Sequence, residues 1–266
     1  MDKIFRIENS DFRYKIEGQS EKVIVLLHGY LESLEVWNDF SSELSKKYKV
    51  IVPDLPGHGF SDVFLIENSI GKMADIVKYI LVNESVNKCF VVGHSLGGYV
   101  ALAFLEKYPE FLEAISLFHS SPFADSEEKK RNRDREIEIV KEGKKAQIYN
   151  NHFPKTFAEE NIEKFKSKIE EMNDIAKNMS DEAIIQTLNS MKNRKDRTEI
   201  LKYIKIPFIY IIGKKDNFIS MDILEKLELP ENSEIVVLEK SGHMGFIEEK
   251  EKSLEIINGF IDNKIR

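Results

Sequence analysis

Gly93-His94-Ser95-Leu96-Gly97-Gly98 sets a hydroxyl among glycines where a short apolar run gives way to a helix-length segment. A serine hydroxyl is a weak nucleophile at neutral pH and needs a base within hydrogen-bond reach. A turn sharp enough to lift that hydroxyl clear of the chain strains its backbone, and side chains two residues before and after it would collide. Gly93 and Gly97 remove those side chains. At the start of the following helix, backbone N–H groups and the helix dipole favour the negative charge that attack creates. With no partners elsewhere, the same stretch is only a glycine-rich turn that carries a serine.

The base must come from six histidines, His28, His58, His94, His119, His152 and His243. His94 adjoins Ser95 and should point away from it across the turn, while His152 falls in a helical insertion. His243 lies in Ser241-Gly242-His243-Met244-Gly245-Phe246, a Gly-flanked loop after the last strand-like run. Chemistry collects at the carboxyl ends of strands in open parallel sheets. An acid between serine and histidine completes the order serine, acid, histidine. Asp216, in Gly213-Lys214-Lys215-Asp216-Asn217 after the run Phe208 to Ile212, meets that requirement. It would accept the His243 ring proton, fix the tautomer and stabilise the imidazolium. Asp54 and Asp125 compete for the part, and location and chain order favour Asp216. A tetrahedral oxyanion needs two N–H donors. The Leu96 backbone supplies one, and Tyr30 in His28-Gly29-Tyr30-Leu31-Glu32 supplies the other.

The elements that hold these residues are legible as well. Val23–Leu27, Lys49–Val52, Cys89–Val92, Ala114–Phe118, Phe208–Ile212 and Glu234–Leu238 are apolar without alternation, as strands buried on both faces are. Ile4–Ile7 and Phe12–Ile16 alternate instead and predict an antiparallel edge hairpin. Helix-length segments run Val36–Tyr48, Ile70–Asn83, Leu96–Tyr108, Met221–Leu229 and Lys250–Ile265. The alternation predicts an α/β fold, a mostly parallel sheet of about eight strands flanked by helices. Residues 121–197 carry no strand run, and Ile162, Phe165, Ile169 and Met172 recur at helical spacing. They are expected to form a helical lid inserted into a core of residues 1–120 and 198–266. Most of their charges read as a solvated face.

Composition excludes several other classes. The chain has 266 residues, 42% of them hydrophobic, with 39 basic and 46 acidic side chains. It is long enough to bury a core unaided, and its net charge of −7 argues against nucleic acid or an anionic membrane as partner. A single cysteine, Cys89, fits a reducing, cytoplasmic compartment. No apolar run approaches the ~20 residues of a membrane span. Met1-Asp2-Lys3-Ile4-Phe5-Arg6-Ile7-Glu8 lacks the apolar segment and cleavage site of a signal peptide. No phosphate loop, dinucleotide fingerprint or metal-ligand spacing is present, so no cofactor or metal is expected.

Taken together, His28-Gly29, Asp54-Leu55-Pro56-Gly57-His58-Gly59-Phe60-Ser61, Gly93–Gly98, Gly213–Asp216 and Gly242-His243 resemble the α/β-hydrolase fold superfamily, in its lid-bearing serine-hydrolase branch. The resemblance covers nearly the whole chain and makes Asp54, Gly57, His58 and Gly59 structural. Dehalogenases and epoxide hydrolases of the family carry aspartate where Ser95 stands. Carbon–carbon bond hydrolases usually show Asn before the serine and Met after it, whereas His94 and Leu96 lean towards carboxylesterases.

The resemblance implies a serine hydrolase acting on a small-molecule ester or acyl substrate through an acyl-enzyme. An unperturbed imidazole titrates near ~6.5, so activity should fall on the acid side of that value. Two alternatives stand beside it. A carbon–carbon bond hydrolase or lyase on a keto acid would need a polar pocket, for which Arg131, Arg133 and Arg135 are available. A ligand receptor would keep the three residues without turnover. Lid and sheet should enclose an apolar cavity, with Phe123, Phe153, Phe157 and Phe246 as candidate lining and His119 as a candidate substrate contact. Phenylalanines of this kind usually serve as plain core.

Overall fold

β-Branched runs that are apolar at every position occupy the middle of an eight-stranded sheet in the computed structural model, which describes residues 1–7, 9–64, 68–231 and 233–265. The strands are β1 (Asp2–Ile7), β2 (Ser10–Glu17), β3 (Val23–Leu27), β4 (Lys49–Pro53), β5 (Cys89–His94), β6 (Leu112–Phe118), β7 (Phe208–Gly213) and β8 (Ser233–Leu238). Their order is β1-β2-β4-β3-β5-β6-β7-β8. The expected edge hairpin forms, and β2 also pairs antiparallel with β4. Every other neighbouring pair is parallel. All residues of β3, β5 and β7 are buried, while β1 alternates exposed and half-buried positions. That contrast follows from central strands covered on both faces and an edge strand covered on one.

Helices α1 (Asn38–Leu44), α2 (Ile70–Asn83) and α3 (Leu96–Lys107) alternate with the first strands. The insertion between β6 and β7 carries α4 (Glu127–Lys141), α5 (Lys145–Thr156), α6 (Lys166–Asn178), α7 (Asp181–Lys192) and the short α8 (Thr198–Lys202). The chain closes with α9 (Gly245–Glu248) and α10 (Lys250–Lys264). In the core α2 packs on α3 and α1 on α10, whereas in the insertion α4 packs on α7 and α5 on α6. Ser126 and Ser180 cap α4 and α7 by accepting the N–H groups of Lys129 and Ala183, which satisfies donors a helix start leaves free. Among the described residues no helix is long and apolar enough to cross a membrane.

Two expected helices come out differently. Val36–Tyr48 splits into a 3₁₀ turn at Leu34–Trp37 followed by the seven-residue α1. Burying Trp37 against Phe246, with ring centroids 3.9 Å apart, fixes the chain where a longer helix would begin. Met221–Leu229 is 3₁₀ only, over Met221–Lys226. A segment this short gains too few i→i−4 bonds to offset nucleation of an α-helix.

The start of α3 lies against the end of β3 with no room to spare. A Cβ on Gly97 would sit 2.3 Å from the Leu27 carbonyl oxygen, and one on Gly93 would sit 2.4 Å from that of Gly97. Both obstacles are backbone and cannot swing aside. Gly97→Ala is therefore expected to destabilise the protein by about 3 kcal/mol, read as a lower urea midpoint. An unchanged midpoint would show that the β3–α3 contact is looser than the structure has it.

Candidate active site

Ser95 sits between β5 and α3 with φ +49° and ψ −112°, a left-handed backbone in a non-glycine residue. Strain of this kind, of order 1–3 kcal/mol, persists only where the surroundings over-determine it. Here the Ser95 N–H donates to the Phe118 carbonyl at 3.1 Å. The Ser95 carbonyl accepts from Gly98 N–H at 3.0 Å and Ser120 Oγ at 2.7 Å. The side chain is half-buried, and among the described residues its Oγ has no hydrogen-bond partner. The backbone N–H groups of Tyr30 and Leu96 are likewise unspent among the described residues. In contrast, Gly29 N–H is taken, donating to Glu32 Oε2 at 2.6 Å.

Asp216 and His243, from the loops after β7 and β8, meet directly: His243 Nδ1 lies 2.8 Å from Asp216 Oδ2. The other carboxylate oxygen accepts from the N–H groups of Phe218 and Ile219 at 2.8 and 2.9 Å. Burial works against a charge on Asp216, but the charge and hydrogen bonds of His243 and His119 outweigh it and hold the carboxyl well below the usual range. The His243 backbone is clamped on both sides. Its N–H donates to Thr156 O at 2.6 Å, and its carbonyl receives His94 Nε2 at 2.9 Å. Ser95 and His243 line one cavity of about 250 Å³ without a hydrogen bond between them. Such contacts often tighten only when substrate is bound.

His94 is turned from the Ser95 hydroxyl, as its place in the turn requires, and is engaged on both nitrogens. Its Nδ1 lies 3.2 Å from Glu32 Oε2 and its Nε2 2.9 Å from His243 O. Both partners are acceptors, so whichever ring nitrogen carries a proton finds an oxygen to donate to. Burial opposes charge on Glu32, yet His94 and the Gly29 N–H bring its carboxyl down to about 2. Glu32 thus ties the Tyr30 loop, the serine turn and the His243 loop together. Sequence reading missed it; the only signal was an acid three residues after Gly29 in a loop whose N–H groups matter.

His119 is not a cavity residue. It is fully buried behind Asp216, at φ +50°, with Nδ1 3.2 Å from Asp216 Oδ2. Backbone N–H groups of Gly213 and Gly245 lie 3.0 and 3.2 Å from its Nδ1 and Nε2. With Nδ1 protonated the ring donates to Asp216 and accepts from Gly245 at Nε2; with Nδ1 bare it accepts from Gly213 instead. Burial pushes the ring's pKa down to about 4, overriding the pull of Asp216. His119, Asp216 and His243 place ligand-capable atoms within 4.8 Å of one another. The His119 nitrogens already face backbone donors and both Asp216 oxygens are bonded, so the cluster is built for hydrogen bonds rather than for a cation.

The four expected phenylalanines also lie off the cavity wall. Phe153 is buried edge-on against His152, Phe157 stacks on Phe165 with centroids 5.6 Å apart, and Phe246 stacks on Trp37. Phe123 lines a separate recess with Ile223 and Lys226. Hydrophobic burial takes these large rings into the core. The cavity is accordingly not apolar: besides Tyr30, Tyr99, Phe218 and Ile219, its wall carries Lys129, Asn132, Arg133 and Glu136 of α4, and His152 of α5. Burial and the nearby His243 push the His152 ring down to about 3, which keeps it neutral. The competing carboxylates are committed elsewhere. Asp125 holds Arg133 and Arg194, and Asp54 accepts from the N–H groups of Leu34 and Phe60.

This sheet, this turn and this arrangement of loops define an α/β-hydrolase architecture. Residues 22–250 match the family model described as alpha/beta hydrolase fold, and the chain belongs to that family. An uncharacterized protein of Mycobacterium tuberculosis is 34% identical over 104 residues, 39% of this chain and 30% of that protein, so this chain matches about a third of its length. A pimeloyl-[acyl-carrier protein] methyl ester esterase of Wigglesworthia glossinidia brevipalpis is 26% identical over 94% of this chain and 97% of that one. A 2-hydroxy-6-oxononadienedioate/2-hydroxy-6-oxononatrienedioate hydrolase of Paraburkholderia phymatum is 25% identical, covering 93% and 90%. Among solved structures, a thermophilic esterase from Thermogutta terrifontis superposes with a TM-score of 0.90 at 26% identity, covering 95% of this chain and 93% of that one.

Glu32 provides a test of the scaffold. Its carboxyl titrates lower in the folded chain than unfolded, so its contribution is present above about pH 4.3 and is lost as pH falls towards about 2. Glu32→Gln is expected to remove about 2 kcal/mol at pH 7 by replacing the charged acceptor of the Gly29 N–H and the His94 ring with a neutral one. It should also flatten the pH dependence of the urea midpoint between pH 4 and 2. Equal midpoints for variant and parent at pH 7 would contradict the pairing.

Proposed function

We propose that the protein is a cofactor-independent serine hydrolase that cleaves carboxylic esters. The observation that carries this reading is a strained Ser95 with an unspent hydroxyl and two unspent N–H groups, sharing a cavity with a histidine bonded to buried Asp216. His243 Nε2 takes the Ser95 proton as Oγ attacks the acyl carbon, and Asp216 stabilises the imidazolium. The Tyr30 and Leu96 N–H groups receive the oxyanion. The tetrahedral intermediate collapses, His243 protonates the departing alkoxide, and the acyl group remains on Ser95. Water, deprotonated by His243, then attacks the acyl carbon and restores Ser95 with release of the acid. Residues 121–197 act as a lid over this chemistry, since α4 and α5 supply its outer wall.

Similarity over nearly full length to a methyl ester esterase supports ester cleavage. Arg133 on the cavity wall, with the similar dienedioate hydrolase, supports a second reading, carbon–carbon bond hydrolysis of a keto acid. p-Nitrophenyl esters of graded acyl length and a ring-cleavage dienoate are the paired substrates that separate the two. Ester turnover without dienoate turnover is expected, and the reverse would reassign the reaction. Multiple turnover on either substrate disposes of a pure receptor. Ser95→Ala is expected to lower kcat by about 10⁴-fold or more with an unchanged urea midpoint. Activity retained by that variant would remove Ser95 from the reaction.

A further inference from the structure

Lys129, Asn132, Arg133 and Glu136 stand at i, i+3, i+4 and i+7 of α4, a spacing that places them on one face, and all four line the cavity that holds Ser95. Lys129 and Asn132 are exposed, and Asn132 Oδ1 accepts from Arg135 at 3.0 Å, whereas the half-buried Arg133 and Glu136 keep much of their hydrogen-bonding capacity unspent. Arg133 donates from Nε to Asp125 at 2.7 Å, and among the described residues its Nη atoms have no partner. Asp125 also holds Arg194 at 2.5 Å, so one carboxylate answers two guanidinium groups. The Lys129 ammonium has no ion pair among the described residues. Tyr30 OH and Glu136 Oε2 are buried and unpartnered. Burial raises the Glu136 carboxyl above its ordinary range.

These groups discriminate among ligands. An aliphatic chain would leave Tyr30 OH and Glu136 Oε2 unsatisfied, which buried polar groups seldom are. A cationic ligand would meet Lys129 and Arg133. A carboxylate meets two cations and the Tyr30 hydroxyl, and the free edge of a guanidinium matches its two oxygens. We propose that the α4 face is a carboxylate-binding subsite with Arg133 as its principal ligand, so that the preferred substrates are short esters bearing a free carboxylate away from the scissile bond. A cavity of about 250 Å³ is small and holds both the α4 face and Ser95, which favours a short chain between ester and carboxylate. The inference rests on the esterase reading for its turnover arm only.

Monomethyl glutarate and methyl 4-carbamoylbutanoate are nearly isosteric and differ in charge. The wild-type protein is expected to hydrolyse the carboxylate with kcat/KM about tenfold or more above the amide, mainly through KM, and the ratio should shrink as salt is raised. Arg133→Gln is expected to bring the ratio to about one, and Lys129→Gln, which leaves the Asp125 pair intact, to lower it several-fold. Calorimetric binding of glutarate, compared with glutaramide, is the arm that needs no turnover. Glutarate should bind more tightly, and Arg133→Gln should abolish the difference. Hydrolysis of neither ester nor of p-nitrophenyl acetate, with glutarate selectivity present, overturns the esterase reading alone. Equal kcat/KM for the two esters, or glutarate binding no tighter than glutaramide, overturns the subsite.

Discussion

The buried hydrogen bond between His243 and Asp216 is the constraint around which the neighbouring structure is arranged. A carboxylate sealed from water is expensive unless every lone pair is met. Asp216 meets that condition with two backbone N–H groups on one oxygen and two imidazoles on the other. Those partners come from β6, β7 and the loop after β8, so the charge is stable only when three strand ends are in place. His119 is the less visible half: its second nitrogen is occupied by Gly245, which fixes the ring as Asp216 needs it.

A second buried pair, Glu32 with His94, repeats the device on the other side of the serine. It restrains Gly29 through its N–H and the His243 backbone through its carbonyl. The Ser95 turn, the Tyr30 loop and the His243 loop are thereby linked by two histidine–carboxylate contacts instead of by chain connectivity. Most of that linkage lies outside the insertion between β6 and β7.

The features legible in the sequence were those set by local chemistry. Unalternating β-branched runs announce strands covered on both faces, Gly93 and Gly97 announce a turn no other residue fits, and Ser95, Asp216 and His243 stand in order at strand ends. Features that depend on distant chain approaching distant chain were not legible. Glu32 gains meaning only when His94 arrives opposite it, and His119 reads as a pocket residue until Asp216 is placed above it. The phenylalanines stood as candidates for either place because burial and cavity lining ask for the same residue types, and they follow the ordinary reading in lying off the cavity wall. The charged face of α4 was only partly legible, with Arg133 named for a polar pocket and its neighbours not. Lys129, Arg133 and Glu136 look like an ordinary solvated stripe, and the fold of the insertion half-buries Arg133 and Glu136 while Lys129 stays exposed at the edge of the cavity.

Covalent labelling with a fluorophosphonate, followed by intact mass and peptide mapping, addresses the role of the Asp216–His243 pair most directly. One label per chain, located on Ser95, with Asp216→Asn slowing the reaction by about 10³-fold or more, is the predicted outcome. A label on another residue, or equal rates for Asp216→Asn and the parent, would show that this histidine–carboxylate contact does not activate the serine.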